Sequence, residues 1–233
     1  KVSFIVSGRR TYADLITRAI NNANADNPDF DPIPDYFFYD LNAIVNWDIN
    51  DKYIIYLSGY FGRDVFNFQN EDFDFNFDWG NTTTTLRWNH VFKPQLFLNT
   101  AFTFSDYIYS VASRFDQFEF SLGSGIRDFN LKGDFSWFPT DDHVIKFGVN
   151  GIHHTFDVNN LAFDSDDGEL SIEAGNTLEA GEFAAYFNDD WKINRRFSLN
   201  TGIRVSGFVG DSTFYMGIEP RIAAKMSLTD NVA

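Results

Sequence analysis

The 233-residue chain contains no cysteine, so a disulfide framework, a thiol nucleophile and a cysteine metal site are all excluded. No apolar run approaches the roughly 18 residues that a membrane-spanning helix requires. Basic residues are scarce: 18 Lys and Arg stand against 33 Asp and Glu, a net charge of −15. Nucleic acid wants a basic face, so it is not an expected partner. The sequence carries no Gly-x-Ser-x-Gly, no His-Glu-x-x-His and no phosphate-binding P-loop. The adjacent His153 and His154 would point to opposite faces of a strand, while His90 and His143 would lie near strand ends. No enzyme is expected from this inventory. The opening KVSFIVSGRR has no charged-then-apolar leader, which suggests a removed signal peptide or an internal piece.

Aromatic residues are abundant, at 18% of the chain, with 28 Phe, 10 Tyr and 5 Trp. Mean hydropathy is nevertheless only −0.27. The two facts are reconciled by alternation. In 197–206, Phe197, Leu199, Thr201, Ile203 and Val205 share one face of a strand, and Ser198, Asn200, Gly202, Arg204 and Ser206 share the other. The same period of two runs through 35–49, 78–92, 128–138, 143–156 and 215–228. A soluble sandwich also alternates, but its outward faces are rarely so aromatic and its strands average about five or six residues. Runs of roughly ten or more suit tilted membrane strands. With no spanning helix, closed strands are the only way to satisfy backbone groups in lipid.

The expected fold is therefore all-β, a transmembrane antiparallel up-and-down barrel. Ten strands are predicted, near 2–9, 35–49, 53–66, 78–92, 96–109, 121–138, 143–156, 179–193, 197–208 and 214–228. Short turns are placed at Asn50–Lys52, Lys93–Gln95, Thr140–Asp142, Asn194–Arg196 and Thr229–Asn231. Longer, Asn- and Asp-rich links are placed at 10–34, 67–77, 111–117, 157–178 and 209–213, with about one helical turn near Arg10–Ala19. Outer-membrane barrels have short periplasmic turns and longer external loops, so the first strand is read as running outward. Trp191, just before a short turn, fits an aromatic girdle at the interface.

Phe147, Phe129, Leu199, Ile203, Ile222 and Val45 should then face lipid. Arg87, Lys132, Lys146, Arg204, Arg221 and Lys225 should face the lumen, with Asp40, Asp48, Asp128, Asp134, Glu182 and Glu219. Of these, Arg87, Lys132, Lys146, Arg204, Arg221 and Glu219 are the candidates for a plug contact or substrate path. In the external links, Asp164, Asp166, Asp167 and Glu169 are ligand candidates, together with Tyr12 and Phe30. Asp164, Asp166 and Glu169 offer hard oxygens for a calcium ion, as do Asp72, Asp74 and Asp78. The spacing fails that of an EF-hand, so solvated loops are the plainer reading. Tyr12, Phe30, Tyr36 or Phe73 could stack on carbohydrate. No tightly held cofactor is expected.

These residues also carry a resemblance. YFNDDWKINRRFSLNTGIRVSGF is similar to the aromatic-x-x-Asp-x-Trp-Lys hairpin, with its following Gly-x-Arg strand, of TonB-dependent outer-membrane transporters. GIEPRIAAKMSLTDN resembles the Pro-Arg strand that follows it, and GIRDFNLKGDFSWFP, HVIKFGVNGIHHTF and WGNTTTTLRWNHVF resemble other strands of that barrel. The resemblance implies a 22-stranded barrel around an N-terminal plug, preceded by a short energy-coupling box. Neither occurs among these residues, so residues 1–233 are expected to be a partial barrel domain, with plug and remaining strands elsewhere. It implies an importer of a siderophore, haem, vitamin, glycan or peptide in the outer membrane of a Gram-negative bacterium. Its partners would be a TonB-type coupling protein acting through the plug, the lipid bilayer, and a surface lipoprotein. Two alternatives stay open: a structural barrel that scaffolds lipoproteins or secretion machinery, and a passive diffusion channel.

Overall fold

A computed structural model describes residues 1–70, 73–165 and 171–227. Ten strands follow one another in the chain: β1 (Val2–Arg10), β2 (Asp35–Asn50), β3 (Tyr53–Gln69), β4 (Phe73–Lys93), β5 (Leu96–Phe115), β6 (Phe118–Thr140), β7 (His143–Ser165), β8 (Ser171–Lys192), β9 (Phe197–Gly210) and β10 (Thr213–Met226). One helix among the described residues, α1 (Ala13–Ala23), interrupts the link from β1 to β2. It is too short to cross a membrane.

The strands form one sheet in the order β1 to β10, every neighbouring pair antiparallel. The predicted meander is therefore the observed one, and β1 and β10 are its two edges. Where sequence and structure part is in the links. Segments 67–77, 111–117 and 157–178, expected from the sequence as long links, are mostly strand, apart from residues 71–72 and 166–170, which lie outside the described residues. Only Asp116 and Gln117 separate β5 from β6, and only Asp211 and Ser212 separate β9 from β10. The predicted turn at Thr229–Asn231 also lies outside the described residues. The asymmetry between the two ends of the sheet is real, but it resides in strand overhang. β6 and β7 each run for 23 residues, more than twice the 9–11 or so that a tilted strand needs to cross a bilayer. Polar composition misled here because both faces of an overhang are wet. Neighbouring strands satisfy the backbone whatever the side chains are.

The register joins each face of every strand to the same face of its neighbours. Val45 sits opposite Leu57, Leu57 opposite Leu86, Leu86 opposite Phe102, and Phe102 opposite Leu131. On the other face, Asn46 meets Tyr56, then Arg87, Ala101, Lys132, Asn150, Ala184, Ser206 and Gly217 in turn. Predicted outward and inward sets thus fall on opposite faces across the whole sheet.

There is almost no core. The buried apolar side chains are Ala180 and Ala184 alone among the described residues, while Phe4 and Ile222 are each 77% exposed. Accessible area is 15891 Å², against about 11000 Å² for a compact protein of this mass. A sheet that leaves one continuous apolar face uncovered requires an apolar surrounding.

Candidate functional site

The apolar face is a belt with defined edges. Near the short turns it carries Trp47, Tyr53, Trp88, Trp137 and Trp191, with Tyr53 stacked on Trp88 and His90, and His143 stacked on Trp191. His143 Nδ1 lies 2.8 Å from Asp189 Oδ2, which pairs the one carboxylate of this face near those turns among the described residues. Towards the overhang, each strand from β1 to β6 reaches a first charged residue: Arg10, Asp35, Arg63, Asp78, Asp106 and Arg127. From β1 to β6 this face carries no Asp, Glu, Lys or Arg between the two edges among the described residues, while on β8 Asp189, paired with His143, lies two residues above Trp191. About ten residues separate Trp88 from Asp78 and Trp137 from Arg127. That is roughly 33 Å of strand, or about 25 Å once tilted by ~40°, which matches the apolar band of an outer-membrane barrel.

The upper edge is neutralised pair by pair. Arg10 binds Asp14 at 2.6 Å, Arg18 binds Asp35 at 2.6 Å, Arg63 binds Asp78, and Arg127 approaches Asp106 at 3.3 Å. The hydrogen bond to Asp35 raises the Arg18 guanidinium above its ordinary pKa. Charges placed against an apolar medium are costly alone and much less so when paired. Sequence reasoning missed this row because it depends on cross-strand register. Only the i, i+4 spacing of Arg10 and Asp14 could have hinted at it.

On the polar face, Lys132, Lys146, Arg204 and Arg221 are brought together around a hollow of about 510 Å³, with Asn150, Tyr186 and Asn188 on its wall. Lys132 Nζ lies 2.9 Å from Asp134, Arg221 lies 3.0 Å from Glu219, and Arg204 lies 3.9 Å from the same Glu219. Lys146 and Arg87 have no carboxylate in ion-pair reach among the described residues. Tyr186 donates a 2.7 Å hydrogen bond to Asp134. Further towards the overhang the face turns acidic: His154 Nδ1 is 2.7 Å from Asp128, its Nε2 is 3.8 Å from Glu182, and Arg9 binds Asp40 at 2.5 Å. Such a wall can hold anions and water or a polar protein surface. No nucleophile-base pair is assembled by these contacts.

The overhang candidates are scattered. Asp164 accepts a 2.6 Å hydrogen bond from Ser171. Asp166, Asp167 and Glu169 lie outside the described residues, as does Asp72. Asp78 is engaged by Arg63. Tyr12 precedes α1 with the Arg10 guanidinium 5.2 Å from its ring centre, and Phe30 lies further along the same link. Tyr36 belongs to the opposite face, where it stacks on Trp79. The structure does not gather these aromatics into one surface.

No protein-family model matches this chain, and no curated protein matches it. Solved structures do. The copper transporter OprC shares 11% identity at a TM-score of 0.66, over 85% of this chain and 35% of its own. The outer-membrane transporter YddB from Escherichia coli shares 12% at 0.65, over 97% and 34%. The ferric-catecholate import receptor Fiu from E. coli K12 shares 12% at 0.64, over 99% and 44%. This chain spans about a third of the length of the first two of these structures. Its fold is that of part of the barrel of TonB-dependent outer-membrane receptors, and the three proteins just described are transporters and an import receptor.

Proposed function

We propose that residues 1–233 form part of the barrel wall of a TonB-dependent, outer-membrane importer of a scarce nutrient. One observation carries this reading: an unbroken ten-strand meander sets an apolar belt of about 25 Å against a hydrated, charged face, in the fold of known importers. The short turns are periplasmic and the overhangs project outside. Both edge strands need partners in lipid, so the chain is one part of a wider barrel of about 22 strands. The wide lumen of such a barrel is filled by a plug. Arg87, Lys132, Lys146, Arg204, Arg221 and Glu219 face that plug or the cargo path. A wet polar contact is easier to break than an apolar one, which suits a plug that must shift when pulled. The cargo class is a siderophore, metal complex, vitamin, glycan or peptide.

The full-length protein tests this in two measurements. In a planar bilayer it should show no steady conductance, and its plug side should bind the periplasmic domain of the energy-coupling protein. Steady conductance without such binding would identify a passive channel instead.

A further inference from the structure

Helix α1 is built inside out for a water-exposed loop. A surface helix normally turns its apolar stripe to the protein and its polar face to water. Here the polar positions face the wall. Asp14 is fully buried and binds Arg10. Thr17 and Arg18 both bond Asp35, at 2.5 and 2.6 Å. The Asn21 side chain closes two hydrogen bonds on the backbone of Ile33, at 2.8 and 2.9 Å. The apolar positions face away: Leu15 is 54% exposed, Ile16 65% and Ile20 39%.

The anchors say which side of the sheet the helix occupies. Arg10 lies opposite Tyr39 in the register, and Asp35 and Phe37 alternate onto that same face. The Arg10 guanidinium also sits 4.6 Å from the Phe37 ring centre. All belong to the apolar belt face, and Arg10 and Asp35 are the first charges at its upper edge. Below them on β1 the belt continues as Val2, Phe4 and Val6. The exposed stripe of α1 is thus continuous with the belt rather than with the polar wall.

We infer that α1 is an interfacial helix, lying in the outer headgroup region of the bilayer with Leu15, Ile16 and Ile20 inserted at the acyl boundary. This rests on the belt facing lipid. Helices with one apolar and one polar face settle at this depth. In this case the polar face is satisfied by the barrel's own rim, where Arg10 and Asp35 are neutralised by Asp14 and Arg18. Tyr12, at the start of the helix, adds an amphipathic ring at the same level.

The test uses the full-length protein reconstituted in phosphatidylcholine liposomes. Any cysteine outside these residues is first replaced by serine; since this chain has none, an environment-sensitive fluorophore is then placed singly through Ile16→Cys or Ile20→Cys, with Leu15→Cys as a second choice. Phe147→Cys in the belt and Gln117→Cys at an overhang tip serve as references. Acyl-brominated lipid should quench the helix labels as it quenches Phe147→Cys, and iodide should quench Gln117→Cys alone. Helix labels quenched by iodide and not by bromolipid, with Phe147→Cys still lipid-quenched, would overturn the interfacial placement and leave the belt intact. Helix labels reached by neither quencher would mean that protein covers the stripe, which also overturns it. Iodide quenching at Phe147→Cys would remove the belt reading and this proposal together.

Discussion

Gly148 shows how one missing side chain shapes the polar wall. A Cβ built there would lie 2.4 Å from the Gly133 carbonyl oxygen and 2.8 Å from the Tyr186 ring. The gap lets Tyr186, opposite in register, lie across the strand and reach Asp134 on the far side. Gly148→Ala forces the Gly133 backbone or the ring to move, an overpacking cost of about 1–3 kcal/mol. Tyr186→Phe removes one hydrogen bond, worth about 1 kcal/mol, while Asp134 keeps its contact with Lys132. Urea unfolding of both variants should rank Gly148→Ala as the more damaging; the reverse order would mean the ring does not occupy this groove. The face of each of these residues was legible from period two alone. The partnership was not, because nothing in the sequence states which residue of β8 lies opposite Gly148.

At the scale of elements, the strands were readable through the belt and less so above it. Within the belt, alternation is enforced by two different surroundings, and the predicted strands near 35–49 and 143–156 begin where β2 and β7 begin, though β7 runs on to Ser165. Above it, Asn, Asp and Ser can face water on either side, so the pattern fades while the ladder continues. Phe75, Phe77, Phe115 and Phe118 still stand in register there. Helix α1 is longer than the single turn expected, at 11 residues. Its 14, 17, 18, 21 polar stripe was present in the sequence, but which way it faced could not be known without the rim. The overhangs should be separable from the membrane wall. Removing 111–122 from the β5–β6 hairpin and closing it with Asn-Gly, a pair suited to a two-residue hairpin turn, should leave insertion and heat-modifiable migration in gels intact. Loss of insertion would show that the overhang is needed for the wall to form.

Across the whole molecule, stability depends on where the sheet is placed. Most large apolar side chains of the belt are exposed and none is buried among the described residues, so the sheet stands in water only at great cost and in lipid at little. The net charge is −15, and among the described residues the charged side chains lie on the polar wall, the overhangs and the paired rim, apart from Asp189 at the lower edge of the belt, which His143 pairs. Because the ten strands share one continuous register, the side assigned to one residue fixes the side of all. The direct measurement places the same charge on either side of β9 in the full-length protein: Ile203→Arg on the belt and Asn200→Arg on the polar wall. Folding free energy into bilayers of phosphatidylcholine is then compared. Ile203→Arg, near the bilayer midplane, should lose about 2–4 kcal/mol and Asn200→Arg should change little. Equal losses, or a greater loss at Asn200, would contradict the belt assignment.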